Sequence, residues 1–309
     1  MPSTDPTDLL SSAVAGDRRA LARILSIIED RREGVDTLVS GAFAEAAPAY
    51  RVGITGAPGA GKSTLTDGLV AEVRRREESV GVLAVDPSSP FTGGAILGDR
   101  VRMQRHILDT GVFVRSMASR GHLGGLSLAA PQALVALEAA GFETLLIETV
   151  GVGQDEVEIA AQADTVIVVL TPGWGDGVQA AKAGILEIGD IFVVNKADRT
   201  GAAETISDLH GMLAMGEHGS WIPPILPTTA IEGAGIGEVW DAVLKHRDHL
   251  GAEGLEVRRV RRRLAELEAA LVGIYRKRAG ELVAAGGDTV AAVEEGTLDP
   301  WTAARHLID

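Results

Sequence analysis

The run Gly56-Ala57-Pro58-Gly59-Ala60-Gly61-Lys62-Ser63 constrains this chain more than any other stretch. It fits the pattern G-x-x-x-x-G-K-[ST]. It follows a short apolar run, Arg51–Thr55, and opens an amphipathic stretch, Lys62–Glu77. A strand, a glycine-rich loop and a helix in that order make a phosphate cradle. The glycines let several backbone N–H groups converge on one anion, and the helix N-terminus adds its positive dipole. Lys62 is placed to reach β- and γ-phosphates, and the Ser63 hydroxyl to ligate Mg2+. The candidate nucleotide-binding residues here are Gly56, Ala57, Pro58, Gly59, Ala60, Gly61, Lys62, Ser63 and Thr64.

The texture around this loop predicts an α/β fold. Short apolar runs at Arg51–Thr55, Val80–Val85, Val112–Ser116, Thr144–Ile147, Thr165–Leu170, Ile191–Val194 and Ile225–Thr228 read as buried strands. Helical stretches fall between them, among them Lys62–Glu77, Ala129–Ala139, Ala203–Met215 and Ile236–Leu250. Nearly continuous apolar strands alternating with helices indicate a mostly parallel sheet covered on both faces. Before it, residues 1–48 read as helical: Asp17 caps a helix whose apolar face is Leu21, Ile24, Leu25 and Ile28, and a second runs from Val35 to Ala46. After it, Val260, Leu264, Leu267, Leu271 and Ile274 recur at spacings of four and three, the seam of an amphipathic helix. The expected organisation is a helical segment over 1–48, a nucleotide-binding domain over 49–250 and a helical arm over 251–309.

Asn195-Lys196-Ala197-Asp198 follows the apolar run Ile191–Val194. A carboxylate at Asp198 can accept from both N1–H and the 2-amino group of guanine, donors that adenine does not offer in that arrangement. The wrong base would leave the charge unsatisfied, so the site selects GTP over ATP. Thr229-Ala230-Ile231, after the last strand, reads either as the backbone contact to guanine O6 or as an ordinary strand-to-helix loop.

Acids gather where apolar strands end. Glu148-Thr149-Val150-Gly151 closes one, Asp86 closes another, and Asp99 lies in Gly98-Asp99-Arg100. Acids at strand C-termini beside a phosphate loop line the crevice where α/β proteins bind ligands. Mg2+ takes few carboxylates, with waters and phosphates completing its shell. Ser63, Asp86, Asp99 and Glu148 are the candidate ligands, Asp99 being equally readable as an exposed loop acid. The Gly151 N–H is placed to sense the γ-phosphate. Ras-like switches carry a water-positioning glutamine directly after that glycine; here the residue is Val152, and Gln154 lies further on. Lys62, Glu148 and Gln154 are the candidate catalytic groups. Intrinsic hydrolysis is expected to be slow, rising when a partner reorders this segment.

Composition excludes several classes. With no cysteine there is no disulfide framework, thiolate metal site or cysteine nucleophile. A net charge of −14 argues against broad nucleic-acid binding. No apolar run is long enough for a membrane span and no basic-then-apolar leader opens the chain. The expectation is a cytoplasmic protein without membrane or nucleic-acid partners.

Gly56–Thr64, Val85-Asp-Pro-Ser-Ser-Pro90, Gly98-Asp-Arg100, Glu148-Thr-Val-Gly-Val-Gly-Gln154 and Asn195-Lys-Ala-Asp198 together resemble the MeaB/ArgK family of P-loop GTPases, colinearly from about residue 10 onward. The resemblance implies a homodimeric G protein of the SIMIBI type that serves adenosylcobalamin-dependent methylmalonyl-CoA mutase. Such proteins gate cofactor loading, protect the mutase and help remove damaged cofactor; cobalamin belongs to the mutase. It implies Mg2+ ligands at Ser63, Asp86, Asp99 and Glu148, and a dimerisation arm in the C-terminal helix. It also implies a third switch at Gly173–Lys182, whose glycines allow large backbone changes, the alternative being a plain loop into a helix. The guanine loop departs slightly from the family's Ser-Ala-Leu-Glu-Gly, being Thr229-Ala-Ile-Glu-Gly233, without consequence for base choice.

Three other functions deserve weighing. An ATP-dependent kinase of an amino-acid transport system needs adenine selection and an acceptor base; Asp198 opposes the first and no base is evident. A nickel metallochaperone GTPase needs Cys and His ligands, and this chain has no cysteine and scattered histidines. A nucleic-acid-associated GTPase would use the arginines between Arg258 and Arg263, which read more simply as the solvated rim of the apolar seam.

Overall fold

The computed structural model describes residues 5–86, 103–106, 108–118, 129–149, 161–173, 187–216 and 219–308. The apolar runs form strands β1 (Tyr50–Gly56), β2 (Val80–Asp86), β3 (Val112–Ala118), β4 (Thr144–Thr149), β5 (Thr165–Leu170), β6 (Ile191–Asn195) and β7 (Ile225–Thr228). They pair in the order β3-β2-β4-β1-β5-β6-β7, every pair parallel. The described helices are α1 (Pro6–Val14), α2 (Arg18–Asp30), α3 (Val35–Glu45), α4 (Lys62–Arg75), α5 (Ala129–Ala139), α6 (Ala202–Met215), α7 (Ile236–Ala285), α8 (Gly287–Glu294) and α9 (Pro300–Ile308).

The period of two along each strand decides which layer a residue meets. Val52, Ile54, Val82, Leu146, Ile167 and Val193 face Leu65, Leu69 and Val73 of α4 and Val239, Trp240 and Val243 of α7. Leu83, Val85, Leu145 and Ile147 point the other way, against the stripe Leu21, Ile24, Leu25 and Ile28 of α2 and against Ala133, Leu134 and Leu137 of α5. On that same side Val166, Val168, Phe192 and Val194 meet Leu209 and Leu213 of α6. With both faces covered, the strands have no polar side, which explains their unbroken apolar texture. Each fully buried Leu or Ile contributes about 1.5–3 kcal/mol.

The N-terminal segment is a layer on the sheet. Asp17 caps α2, accepting from the Arg19 amide at 2.8 Å and the Ala20 amide at 3.3 Å. Ahead of it lies α1, capped by Asp5, which periodicity had not separated. Helix α4 stops two residues short of the expected Glu77, which takes a left-handed φ of 65°.

Helix α7 breaks at Gly251 (φ 57°, ψ −171°), where the expected helix Ile236–Leu250 ends, and then resumes. Beyond the break Arg258 departs from the solvated rim read from the sequence. Its guanidinium donates to both carboxylate oxygens of Asp190, at 3.0 and 2.8 Å, and to the Asp164 carbonyl at 2.9 Å. Arg258 is half-buried and Arg262 buried, whereas Arg261 and Arg263 are exposed.

The chain divides into two units, Met1–Arg261 and Arg262–Asp309. In the second, α8 and α9 pack on each other, and the seam residues Leu264, Leu267, Leu271 and Ile274 are 46–64% exposed. Among the described residues no helix is long and apolar enough to cross a membrane.

Candidate nucleotide-binding site

Strand β1 lies between β4 and β5, and β2, next in sequence, lies beyond β4. The connection from β1 to β2 runs to one side and that from β4 to β5 crosses β1 to the other, so the order reverses at β1 and opens a crevice at the C-terminal strand ends. The loop 56–61 sits there. Gly56 (φ 132°) is required because a Cβ would lie 2.0 Å from the Val169 carbonyl oxygen of β5. Gly61 (φ 93°) is required because a Cβ would meet Asn195 Nδ2 at 2.2 Å.

Lys62 and Ser63 begin α4 and are both buried. Lys62 Nζ donates to the Gly56 carbonyl at 2.7 Å and the Ala57 carbonyl at 3.0 Å, so its ammonium lies across the loop. Ser63 Oγ donates to Glu148 Oε1 at 2.6 Å. Glu148 is 4% exposed and sits near the end of β4, paired in register with Ile54 of β1. A hydroxyl and a carboxylate this close, without sulfur ligands, form a hard oxygen donor set of the kind that suits Mg2+. Thr149 Oγ1 donates to Thr55 Oγ1 at 3.3 Å, closing the same strand ends.

The second half of the site comes from β6 and β7. Asn195 is buried, and both ends of its amide bind protein groups. Nδ2 donates to the Ala60 carbonyl at 2.8 Å, while Oδ1 accepts from Thr228 Oγ1 and the Ala230 amide, each at 3.1 Å. Asn195 thus ties the phosphate loop to the 229–231 loop. Lys196 (φ 59°) reaches back to the Gly59 carbonyl at 2.7 Å. Asp198 is exposed beyond the end of β6. In the last loop Ala230 is buried and Ile231 exposed, and the Thr229 amide donates to the Ala234 carbonyl at 3.1 Å.

The structure thus brings Gly56–Ser63, Glu148, Asn195, Lys196 and the 229–231 loop to one end of the sheet. Asp86 ends β2 at that same end, described through its backbone alone. Asp99, Gly151, Gln154 and most of Gly173–Lys182 lie outside the described residues.

A family model described as methylmalonyl Co-A mutase-associated GTPase MeaB matches residues 21–278. The chain belongs to the MeaB family. A putative GTPase of Pyrococcus horikoshii is 45% identical, the match covering 98% of this chain and 97% of the relative. GTPase ArgK of Escherichia coli is 35% identical over 94% of this chain and 92% of its own. A mouse protein named methylmalonic aciduria type A homolog, mitochondrial, is 34% identical over 80% of this chain and 64% of its own length. Among solved structures, one titled LAO/AO transport system kinase superposes with a TM-score of 0.74 at 27% identity, over 99% of this chain and 97% of that one. This MeaB-family chain is accordingly a GTP hydrolase with the P-loop fold, and it binds guanine nucleotide.

Proposed function

We propose that this protein is a GTP-driven chaperone of an adenosylcobalamin-dependent methylmalonyl-CoA mutase, gating cofactor loading and protecting or reactivating the enzyme. The observation that carries the reading is the joining of two loops by Asn195: the one that holds phosphates and the one that faces the base report to each other through a single buried amide. Glu148 of β4 bonds Ser63 and the Val169 carbonyl of β5 lies against Gly56; these strands lead in sequence toward Gly151–Gln154 and Gly173–Lys182, and order in those segments is what a mutase would read.

In this reading the amides of residues 57–64 hold the β- and γ-phosphates and Lys62 neutralises charge between them. Ser63 and Glu148, with Asp86 and Asp99, would hold Mg2+, which would supply charge stabilisation to the phosphates. Asp198 selects guanine. Gln154 orients water once a partner sets its segment, so the isolated protein turns over slowly. The apolar seam Leu264–Ile274 covers itself against a second copy, giving a homodimer; its exposure in the single chain supports this.

The test is co-purification with the mutase in GDP and in a non-hydrolysable GTP analogue. Affinity is expected to differ at least about tenfold between the two, the size of ordinary allosteric coupling. Equal affinity in both nucleotides sinks the switch reading.

A further inference from the structure

Helix α2 lies along β3, the edge strand of the sheet, and binds it at both ends. At the start, Arg18 donates to the Asp109 carbonyl at 2.7 Å and to the Val112 carbonyl, with its guanidinium 5.7 Å from the Phe113 ring centroid. At the finish, Glu29 Oε1 accepts from the Ala118 amide at 3.2 Å, and Oε2 accepts from Arg115 Nη2 at 2.5 Å. Glu29 and Arg115 are 12% and 14% exposed, so this pair is shielded. An edge strand otherwise ends in unpaired backbone groups and frays.

What this brace protects is specific. Ala118 is the residue registered against Asp86, the last pair of the β2–β3 ladder. On its other side β2 is registered with β4 only as far as Val85 and Thr149 among the described residues. The end of β3 is therefore the described strand support of the Asp86 backbone. We infer that Glu29 is a positioning residue for Asp86: by holding the Ala118 amide and the Arg115 guanidinium, it fixes the strand end that sets where Asp86 stands. The N-terminal helical layer then belongs to the metal side of the site. This rests on the reading of Asp86 as a Mg2+ ligand.

The experiment measures binding, not turnover. Fluorescent GDP affinity is followed in EDTA and across a Mg2+ titration for the full-length wild type, Glu29→Ala, Glu29→Gln and Asp86→Asn. Outer-shell partners of metal ligands are worth about 10–100-fold in metal affinity. Glu29→Ala is expected to raise the Mg2+ midpoint about 10-fold, leave the EDTA affinity unchanged, and speed amide exchange in the 112–118 peptide. Glu29→Gln keeps an acceptor for Ala118 and shifts the midpoint less. A wild-type midpoint in Glu29→Ala, with Asp86→Asn shifted, overturns the positioning role and leaves the Asp86 reading standing. An unshifted Asp86→Asn removes that reading and the inference with it. An equal loss in EDTA overturns the inference in favour of general loosening. Should Glu29→Ala fail to fold, Glu29→Gln decides, and a wild-type midpoint there overturns it.

Discussion

Ser63 Oγ donates to Glu148 Oε1 at 2.6 Å, joining the first turn of α4 to the end of β4. A hydroxyl that gives its proton to a carboxylate presents its lone pairs elsewhere, so in the proposed reading Glu148 would orient Ser63 toward Mg2+ as well as offering its own oxygens. Ser63→Ala removes both the ligand and the orienting bond. Its nucleotide affinity is expected to fall about 10–100-fold in Mg2+ and to match wild type in EDTA, in the range for lost metal-site partners. Titration of fluorescent GDP with and without EDTA checks this. Loss of equal size in both would assign the hydroxyl to the phosphate rather than to the metal.

Asp198 is exposed beyond the end of β6, and in the proposed reading it accepts from guanine. Replacing it by Asn keeps the shape and removes the charge. A charge-assisted hydrogen bond is worth about 1.5–3 kcal/mol, so GTP should weaken at least about 10-fold. Xanthosine triphosphate, whose 2-oxo group accepts where guanine donates, should gain. Competition against fluorescent GDP reads both changes, and unchanged GTP affinity refutes the base assignment.

How much of this was legible in the sequence depended on how local the physics is. The phosphate loop was legible because its glycines, lysine and serine are contiguous and need only a strand before and a helix after. The strands were legible because burial on both faces leaves them unbroken apolar. The halt of α4 was not, since the left-handed turn at Glu77 follows from where the chain must go next rather than from residue type. Asn195 was readable as part of a base-selecting motif, but its grip on Ala60 spans a separation of 135 residues. Glu29 and Ala118 are 89 apart, and Asp190 and Arg258 are 68 apart. No periodicity carries such pairs; they exist only once the sheet has closed.

At the strand N-termini, the end of the sheet away from the phosphate loop, His246 of α7 is 1% exposed. Its Nδ1 lies 2.8 Å from Thr165 Oγ1, which also bonds the Tyr50 hydroxyl, and its Nε2 lies 3.3 Å from Asp190 Oδ1. Burial drives its pKa down from 6.5 to about 4, Arg258 and His249 pushing the same way and Asp190 and Asp164 opposing. The unfolded chain takes up this proton near 6.5 and the folded one only near 4. The stability contributed by neutral His246 is therefore complete above pH 6.5 and lost as pH falls toward 4, with about 2 kcal/mol gone by pH 5. Urea midpoints at pH 7.5 and 5 should show the drop in wild type and a smaller one in His246→Asn. Parallel pH dependence in the two would place the titrating group elsewhere.

Arg258 closes the same network with a two-pronged grip on Asp190, whose Oδ2 also accepts from the Val166 amide at 2.8 Å. Truncation to Ala leaves a carboxylate that is 12% exposed without its cationic partner. Breaking a fully buried pair costs about 3–5 kcal/mol. Because the Arg258 side chain stays 31% exposed, a loss on the order of 2–3 kcal/mol is expected instead. Arg258→Lys keeps the charge but not the fork and should fall between. Arg261→Ala, at an exposed position in the same arginine run, should stay within about 0.5 kcal/mol of wild type. Denaturant melts of the three variants separate an anchor from a charged rim: similar small losses for Arg258 and Arg261 would return Arg258 to the rim.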